Sequence, residues 1–339
     1  MIFPKATTYI TQMNNMNKKE IRCLNEAHGE NWSIYNADCV DVMQSMPDES
    51  IDLSVYSPPF CGLYNYSSSP RDLSNCSSYD QFFEHYGFVI REIYRMTKPG
   101  RLTAVHCMDV PTQGANIGGY VDFPGDIIRA HEKAGFVFWT RRTIWKEPLT
   151  VRNRTMMKGL AHKQICDDAT LTTVAGADYL LEFRKPGDNA KPVTYPTGLD
   201  RYCGEREVPR EFQQFRNMTG DQKLNRFSHF IWRNYASSIW DDIRMDEVLE
   251  YEESKDPDDE KHVHPLQLDV IERLVVLRSN PGDVVFTPFL GVGSEAYGAV
   301  INGRKAIGAE LKTSYFKQAV KNLTKAKAPA SQGEFDAIR

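Results

Sequence analysis

Strand-length apolar runs near residues 33–37, 51–56, 101–108, 136–145, 178–184, 283–287 and 305–310 alternate with helix-period segments near 39–46, 79–97, 124–134, 266–279, 294–302 and 312–325. A chain that switches repeatedly between these two periods is confined to an α/β layer fold with a mostly parallel sheet. The helix pattern at 79–97 puts Phe82, Phe83, Tyr86, Val89, Ile90, Ile93 and Tyr94 on one side, and Lys98-Pro99-Gly100 ends it. Those aromatics read as core rather than as a ligand box. With 339 residues and 41% apolar side chains, the chain can bury a full core, as one large domain or one domain with an insertion.

From Pro186 to about Lys261 the alternation stops. The stretch is rich in Arg, Asn, Gln, Pro and aromatics, among them Tyr195, Tyr202, Phe212, Phe227, Trp232 and Trp240. So long a segment is expected to have its own small fold or a functional surface. Asp246 to Glu260 is acidic enough to read as a mobile loop, and Lys325 to Arg339 as a loose terminus. The net charge of −4 hides an asymmetry. Residues 139–164 carry Arg141, Arg142, Lys146, Arg152, Arg154, Lys158 and Lys163 against Glu147, a net +6, whereas residues 241–260 carry eleven acids against Arg244 and Lys255, a net −9. A local basic stripe is the footprint of a phosphate contact, with a solvated charged face as the alternative. The seven cysteines are odd in number and form no Cys-x-x-Cys pair, so reduced thiols are expected, with no metal site and no disulfide framework. No apolar run approaches the roughly 18 residues that span a bilayer. Met1 to Glu20 has no secretory pattern, which points to a soluble intracellular protein without a membrane partner.

Two motifs carry chemistry. Ser57-Pro58-Pro59-Phe60 follows the apolar run Ile51 to Tyr56. Each proline restricts its own φ and the residue before it, so Ser57 and Pro58 are held extended and the Pro58 carbonyl takes a set direction. That carbonyl and the Ser57 hydroxyl can accept two hydrogen bonds from one exocyclic NH2 while Phe60 stacks on the ring, with core packing of Phe60 as the alternative. The second motif runs from Pro281-Gly282-Asp283 through Thr287-Pro288-Phe289-Leu290-Gly291-Val292-Gly293-Ser294 to Glu310 at the end of the next strand. Strand, Gly-x-Gly turn, helix and a second strand ending in an acid make a nucleoside-binding unit, in which Glu310 accepts from ribose hydroxyls. Ala296 stands where a dinucleotide fingerprint has its third glycine and is tolerated there, so spacing alone leaves NAD open.

Together the two motifs resemble those of the S-adenosylmethionine-dependent amino-methyltransferases that modify adenine N6 or cytosine N4 in DNA, in the order of the β-class. The resemblance spans 33–146 and 262–325. It takes in Ala37-Asp38-Cys39, Ile144-Trp145-Lys146, Ile239-Trp240-Asp241 and His264-Pro265-Leu266-Gln267. It implies a Rossmann-like methyltransferase sheet in permuted order with an inserted target-recognition region. The corresponding division is an N-terminal extension at 1–31, a catalytic half at 32–186 with a basic DNA-contact segment at 151–175, a target-recognition insertion and acidic loop at 187–261, a cofactor half at 262–325 and a flexible tail at 326–339.

The family resemblance implies catalytic roles for Ser57, Pro58, Pro59 and Phe60. For S-adenosylmethionine it implies Asp38, His264, Pro265, Thr287, Phe289, Gly291, Gly293, Ser294 and Glu310. Asp38 reads equally as a helix N-cap, His264-Pro265 as a helix start, and His106 and His131 as ordinary polar residues. Thr287 departs from the family's usual acid and leaves the methionine amino group of the cofactor without its expected carboxylate. Ser57 stands where many members have Asp or Asn and resembles the cytosine-N4 members. Double-stranded DNA is the implied partner, with Arg152, Arg154, Lys158 and Lys163 placed for phosphates and Arg216 and Arg226, with Arg210 and Asn217, for base edges. The implied location is cytoplasmic and DNA-associated, with a homodimer and a cognate restriction endonuclease left open. The expected function is methyl transfer to the amino group of a flipped base, cytosine N4 ahead of adenine N6. Methylation of RNA or a protein amide, a decayed DNA-binding protein and an NAD oxidoreductase are the competitors.

Overall fold

The structure, a computed structural model, describes residues 21–59, 71–112, 119–155, 157–219, 221, 223–254 and 265–327. Phe60 and His264 lie outside the described residues, as do most of the N-terminal extension and of the tail.

Among the described residues nine strands form one sheet in the order β1-β2-β11-β10-β3-β4-β8-β7-β9. These are β1 Asn25–His28, β2 Trp32–Asn36, β3 Ile51–Tyr56, β4 Thr97–Met108, β7 Val137–Ile144, β8 Asp178–Arg184, β9 Ile239–Trp240, β10 Val284–Thr287 and β11 Lys305–Ala309. β5 Val110–Pro111 and β6 Tyr120–Val121 form a separate short ribbon. β2, β11, β10, β3 and β4 pair in parallel. β8 runs antiparallel to both β4 and β7. The central strand β3 is buried at every position, including its two polar residues Asp52 and Ser54, because helices cover both faces of the sheet.

Helices cover both faces, and the period of two sorts the strand residues between them. Leu53, Val55, Val285 and Ala306 pack against α7 Leu268–Arg278, α8 Ser294–Ile301 and α9 Thr313–Lys325. Tyr56, Val105, Cys107 and Phe286 pack against α1 Cys39–Ser45, α2 Tyr79–Met96 and α3 Phe123–Lys133. The aromatic side of α2 is core: Phe82, Tyr86, Ile90 and Ile93 are fully buried.

The chain leaves β3 through α2 for β4 on one side, and leaves β10 through α8 for β11 on the other. Neighbouring strands whose connections diverge open a crevice at their C-terminal ends. At the opposite ends the two halves are joined by buried charge. Arg101 Nη2 donates to Asp52 at 3.0 Å and to Asp283 at 2.8 Å, and Asp52 also accepts the Val284 N–H at 3.0 Å.

The described part of the 187–261 segment has a core of its own and is docked on the sheet domain. Leu199, Phe227, Ile231 and Tyr235, the last three from α6 Arg226–Tyr235, pack with Val276 and Leu277 of α7. Arg273 of α7, fully buried, donates to both Asp242 oxygens at 3.0 and 2.8 Å and lies against the Tyr202, Tyr235 and Trp240 rings. Part of the acidic stretch expected to be a mobile loop, residues 255–260, lies outside the described residues. In its described part Glu250 and Glu253 pair with Lys325 and Lys321 of α9, each at 2.8 Å, and Ser254 is buried. Both ion pairs are solvent-exposed, so they add little to stability, and the Asn322 side chain also donates to the Glu250 carbonyl at 3.1 Å. Among the described residues no helix is long and apolar enough to cross a membrane.

Candidate active site

A cavity of about 620 Å³ opens at the crevice between β3 and β10, within the range of small-molecule sites. Ser57, Pro58 and Pro59 line one wall as β3 ends, and Phe289, Gly291, Ser294 and Glu310 line the other. The catalytic and cofactor motifs, more than two hundred residues apart in the chain, thus face one space.

On the cofactor side Gly291 has φ 55 and Gly293 φ 97, values that disfavour side chains. The Gly291 N–H donates to Glu310 Oε2 at 2.7 Å and the Lys312 N–H to Oε1 at 2.8 Å. Each carboxylate oxygen keeps a lone pair for a further donor. Burial pushes the Glu310 carboxyl up to about 7, against the pull of those two N–H groups. Burial likewise pushes Glu295, at the start of α8 and also lining the cavity, up to about 8.

Asp38 lines the cavity and also caps α1, its Oδ1 accepting the Val40 N–H at 2.8 Å, so the two readings of this residue coexist. Pro265 lines the cavity as well, and Phe289 meets the Tyr56 ring edge-on at 5.8 Å. Thr287 and Gly293 do not line it. Thr287 is buried at the end of β10, and a Cβ on Gly293 would meet Ala319 of α9 at 3.3 Å, so that glycine permits close helix packing. The residues suit S-adenosylmethionine: an acceptor pair on Glu310, a second carboxyl on Glu295, and the buried Ser294 hydroxyl, which has no partner among the described residues.

On the other side, the Ser57 hydroxyl lies 2.9 Å from Nδ1 of His106, whose Nε2 is 2.8 Å from Asp178 Oδ2. Lys146 pairs with the same carboxylate. His106, Asp178 and Lys146 line the cavity, and the sequence marks none of the three for this place, Lys146 being read there only within the basic stripe and the Ile144-Trp145-Lys146 match. His106, an ordinary polar residue on sequence grounds, stands directly behind Ser57. The available signal was position: His106 lies near the end of a strand, and Asp178 opens one that is largely apolar.

The basic stripe is smaller than its sequence charge. Arg142 is buried against Glu182, and Lys146, mostly covered at the cavity wall, pairs with Asp178, so neither presents free charge outward. Arg152 is half-buried on α4 Pro148–Thr155, while the Arg154 side chain lies outside the described residues. Lys158 is exposed, and Lys163 is exposed on α5 His162–Asp167 beside Asp167 at 3.6 Å. In the insertion Arg216 donates to the Asp200 carbonyl at 2.8 Å and lies over Phe227, which engages it within the protein. Arg226, Arg210 and Asn217 are exposed, Arg226 resting on the Phe215 ring.

Residues 51–321 match the family model for N6/N4 methyltransferases, described as DNA methylase. The type II methyltransferase M.BamHI of Bacillus amyloliquefaciens is 24% identical over 300 residues, covering 87% of this chain; the chain spans only 58% of that protein's length. Among solved structures, a candidate DNA modification methylase of Thermus thermophilus, complexed with S-adenosyl-L-methionine, is 24% identical with a TM-score of 0.54, covering 83% of this chain and 90% of that one. The PvuII DNA methyltransferase, cytosine-N4-specific, is 15% identical with a TM-score of 0.55 and covers 86% of each chain, a likeness of fold.

Proposed function

Because the chain belongs to the N6/N4 DNA methylase family, we propose that it transfers a methyl group from S-adenosylmethionine to the exocyclic amino group of a base flipped out of duplex DNA, cytosine N4 foremost. When bound, the cofactor supplies an electrophilic sulfonium methyl group. The remaining work belongs to the protein.

An exocyclic amino nitrogen is a weak nucleophile because its lone pair is delocalised into the ring. The Ser57 hydroxyl and the Pro58 carbonyl accept its two N–H bonds and turn the lone pair out of conjugation, toward the cofactor side of the cavity. Glu310 and the Gly291 turn hold the nucleoside, and Ser294 and Glu295 serve the amino-acid end. Glu295 supplies there the carboxyl that Thr287 lacks. The base is presented unstacked, with Phe60 as its stacking partner. The single observation that carries this reading is that Ser57-Pro58 and the Gly291–Glu310 cradle face each other across one cavity.

Double-stranded DNA is the substrate in this reading. Arg152, Arg154, Lys158 and Lys163 contact phosphates, and the 187–261 segment, through Arg226 and its neighbours, reads the site. The preference for cytosine N4 rests on Ser57, and adenine N6 is the alternative. The test is methylation of unmodified genomic DNA with labelled S-adenosylmethionine, followed by nucleoside mass spectrometry, with Ser57→Ala as control. N4-methylcytosine supports the full reading, and N6-methyladenine keeps the mechanism but changes the base. No methylated nucleoside from folded protein refutes the reading.

A further inference from the structure

The hydrogen bonds behind Ser57 have a direction that follows from charge. Burial opposes ionisation of Asp178, but Lys146 and His106 outweigh it and hold the carboxyl well below the usual carboxylate range. An ionised carboxylate only accepts, so His106 Nε2 must carry the proton that closes the 2.8 Å bond to Asp178. In neutral imidazole Nδ1 is then a lone pair, and the 2.9 Å contact to Ser57 is a bond donated by the Ser57 hydroxyl. With its hydrogen turned back toward His106, Ser57 shows the cavity lone pairs alone. That is the polarity an NH2 group requires.

We propose that His106, held by Asp178 and Lys146, is a positioning residue for the methyl transfer and the destination of the proton that the reaction releases. This rests on the proposed amino-methyltransferase function. The bond from the amino nitrogen to the methyl carbon forms as the carbon–sulfur bond breaks, and the sulfonium becomes a neutral thioether. The nitrogen, now positive, gives one proton to Ser57 Oγ as the Ser57 hydroxyl proton passes to His106 Nδ1. The positive charge that began on sulfur ends on an imidazolium facing the Asp178 carboxylate, and water later removes the proton. Among the described residues, the charged groups in contact with His106 and its partner carboxylate are Asp178 on β8 and Lys146 just after β7, and Ser57, directly after β3, meets its other nitrogen. If His106 is already protonated, Nδ1 donates to Ser57, the hydroxyl hydrogen swings into the cavity, and the site presents a donor to a donor.

The test is single-turnover methyl transfer against pH, with cofactor and DNA saturating so that Glu310 and Glu295 do not set the profile. His106→Ala should lower the rate about 100-fold, the low end of proton-transfer contributions, while calorimetric affinities for S-adenosylmethionine and DNA stay within about twofold. His106→Asn, whose amide oxygen can stand in for Nδ1 without titrating, should recover part of the rate and lose the fall in rate on the acid side. In a Ser57→Ala background, His106→Ala should add nothing, because the two act as one unit. The inference is overturned by an active wild type in which His106→Ala costs less than about threefold, by equal costs in both backgrounds, or by an unchanged acid limb in His106→Asn. A folded wild type that methylates no nucleoside overturns the proposed function and this inference with it.

Discussion

Replacing Glu310 with Gln should remove the pH dependence of both cofactor affinity and protein stability, which run in opposite directions in the wild type. The Glu310 carboxyl sits at about 7 because it is buried at the cavity wall. Ribose hydroxyls need the charged form as acceptor, so affinity is present above this value and lost as pH falls through it. For a group at about 7, the ionised fraction drops from roughly 0.9 at about pH 8 to roughly 0.03 at about pH 5.5, so the affinity of the wild type should fall about 30-fold, or about 2 kcal/mol. Stability has the other sign. A carboxyl raised in the fold from 4.5 to about 7 favours folding fully at low pH, and that contribution is lost as pH rises through about 7. Glu310→Gln should therefore lose this pH dependence of stability, with no net gain expected because its NH2 faces one of the two backbone N–H donors that the carboxylate satisfies, while losing about tenfold or more in affinity as a charge-assisted bond is removed. Calorimetric titration with S-adenosylmethionine across pH, alongside urea denaturation at the same pH values, measures both. An affinity that is flat with pH in the wild type, or that keeps its slope in Glu310→Gln, would refute the assignment and shift attention to Glu295.

Arg101→Met removes the partner of two buried carboxylates, Asp52 and Asp283, and should cost about 3–5 kcal/mol in denaturant unfolding; a loss below about 1 kcal/mol would mean that Lys98 and Lys191 carry the pairing alone. Gly293→Ala puts a side chain at φ 97 and 3.3 Å from Ala319, so a loss of about 1–3 kcal/mol is expected, and an unchanged melting temperature would contradict the packing role. Lys158→Ala should lower the salt slope of DNA binding by about one, and Arg142→Ala, already spent on Glu182, should leave it unchanged in protein that remains folded. Equal slopes for both variants would dissolve the distinction between surface and internal charge.

The central strands were legible because short runs rich in Ile, Leu, Val, Phe and Tyr are bounded by turn residues: Ile51 to Tyr56 and Val284 to Thr287 lie within one residue of where their runs place them. The Gly291 turn and the acid at Glu310 were legible because left-handed backbone and a strand-end carboxyl belong to a short, contiguous unit. Elements with little pattern of their own were not. Helix α4, of sequence Pro-Leu-Thr-Val-Arg-Asn-Arg-Thr, has hardly any apolar side, and β9 is two residues that become a strand only beside β7. The sequence by itself therefore determined the α/β alternation, the Ser57-Pro58-Pro59 turn and the Gly291–Glu310 cradle, since each depends on neighbours along the chain. Only the tertiary structure decided that Arg142 and Lys146 turn inward, that the acidic segment lies on α9, and that His106 stands between Ser57 and Asp178. A side chain's charge and hydrogen-bond polarity are set by whatever lies within a few ångströms, and these partners are 49 and 72 residues away along the chain.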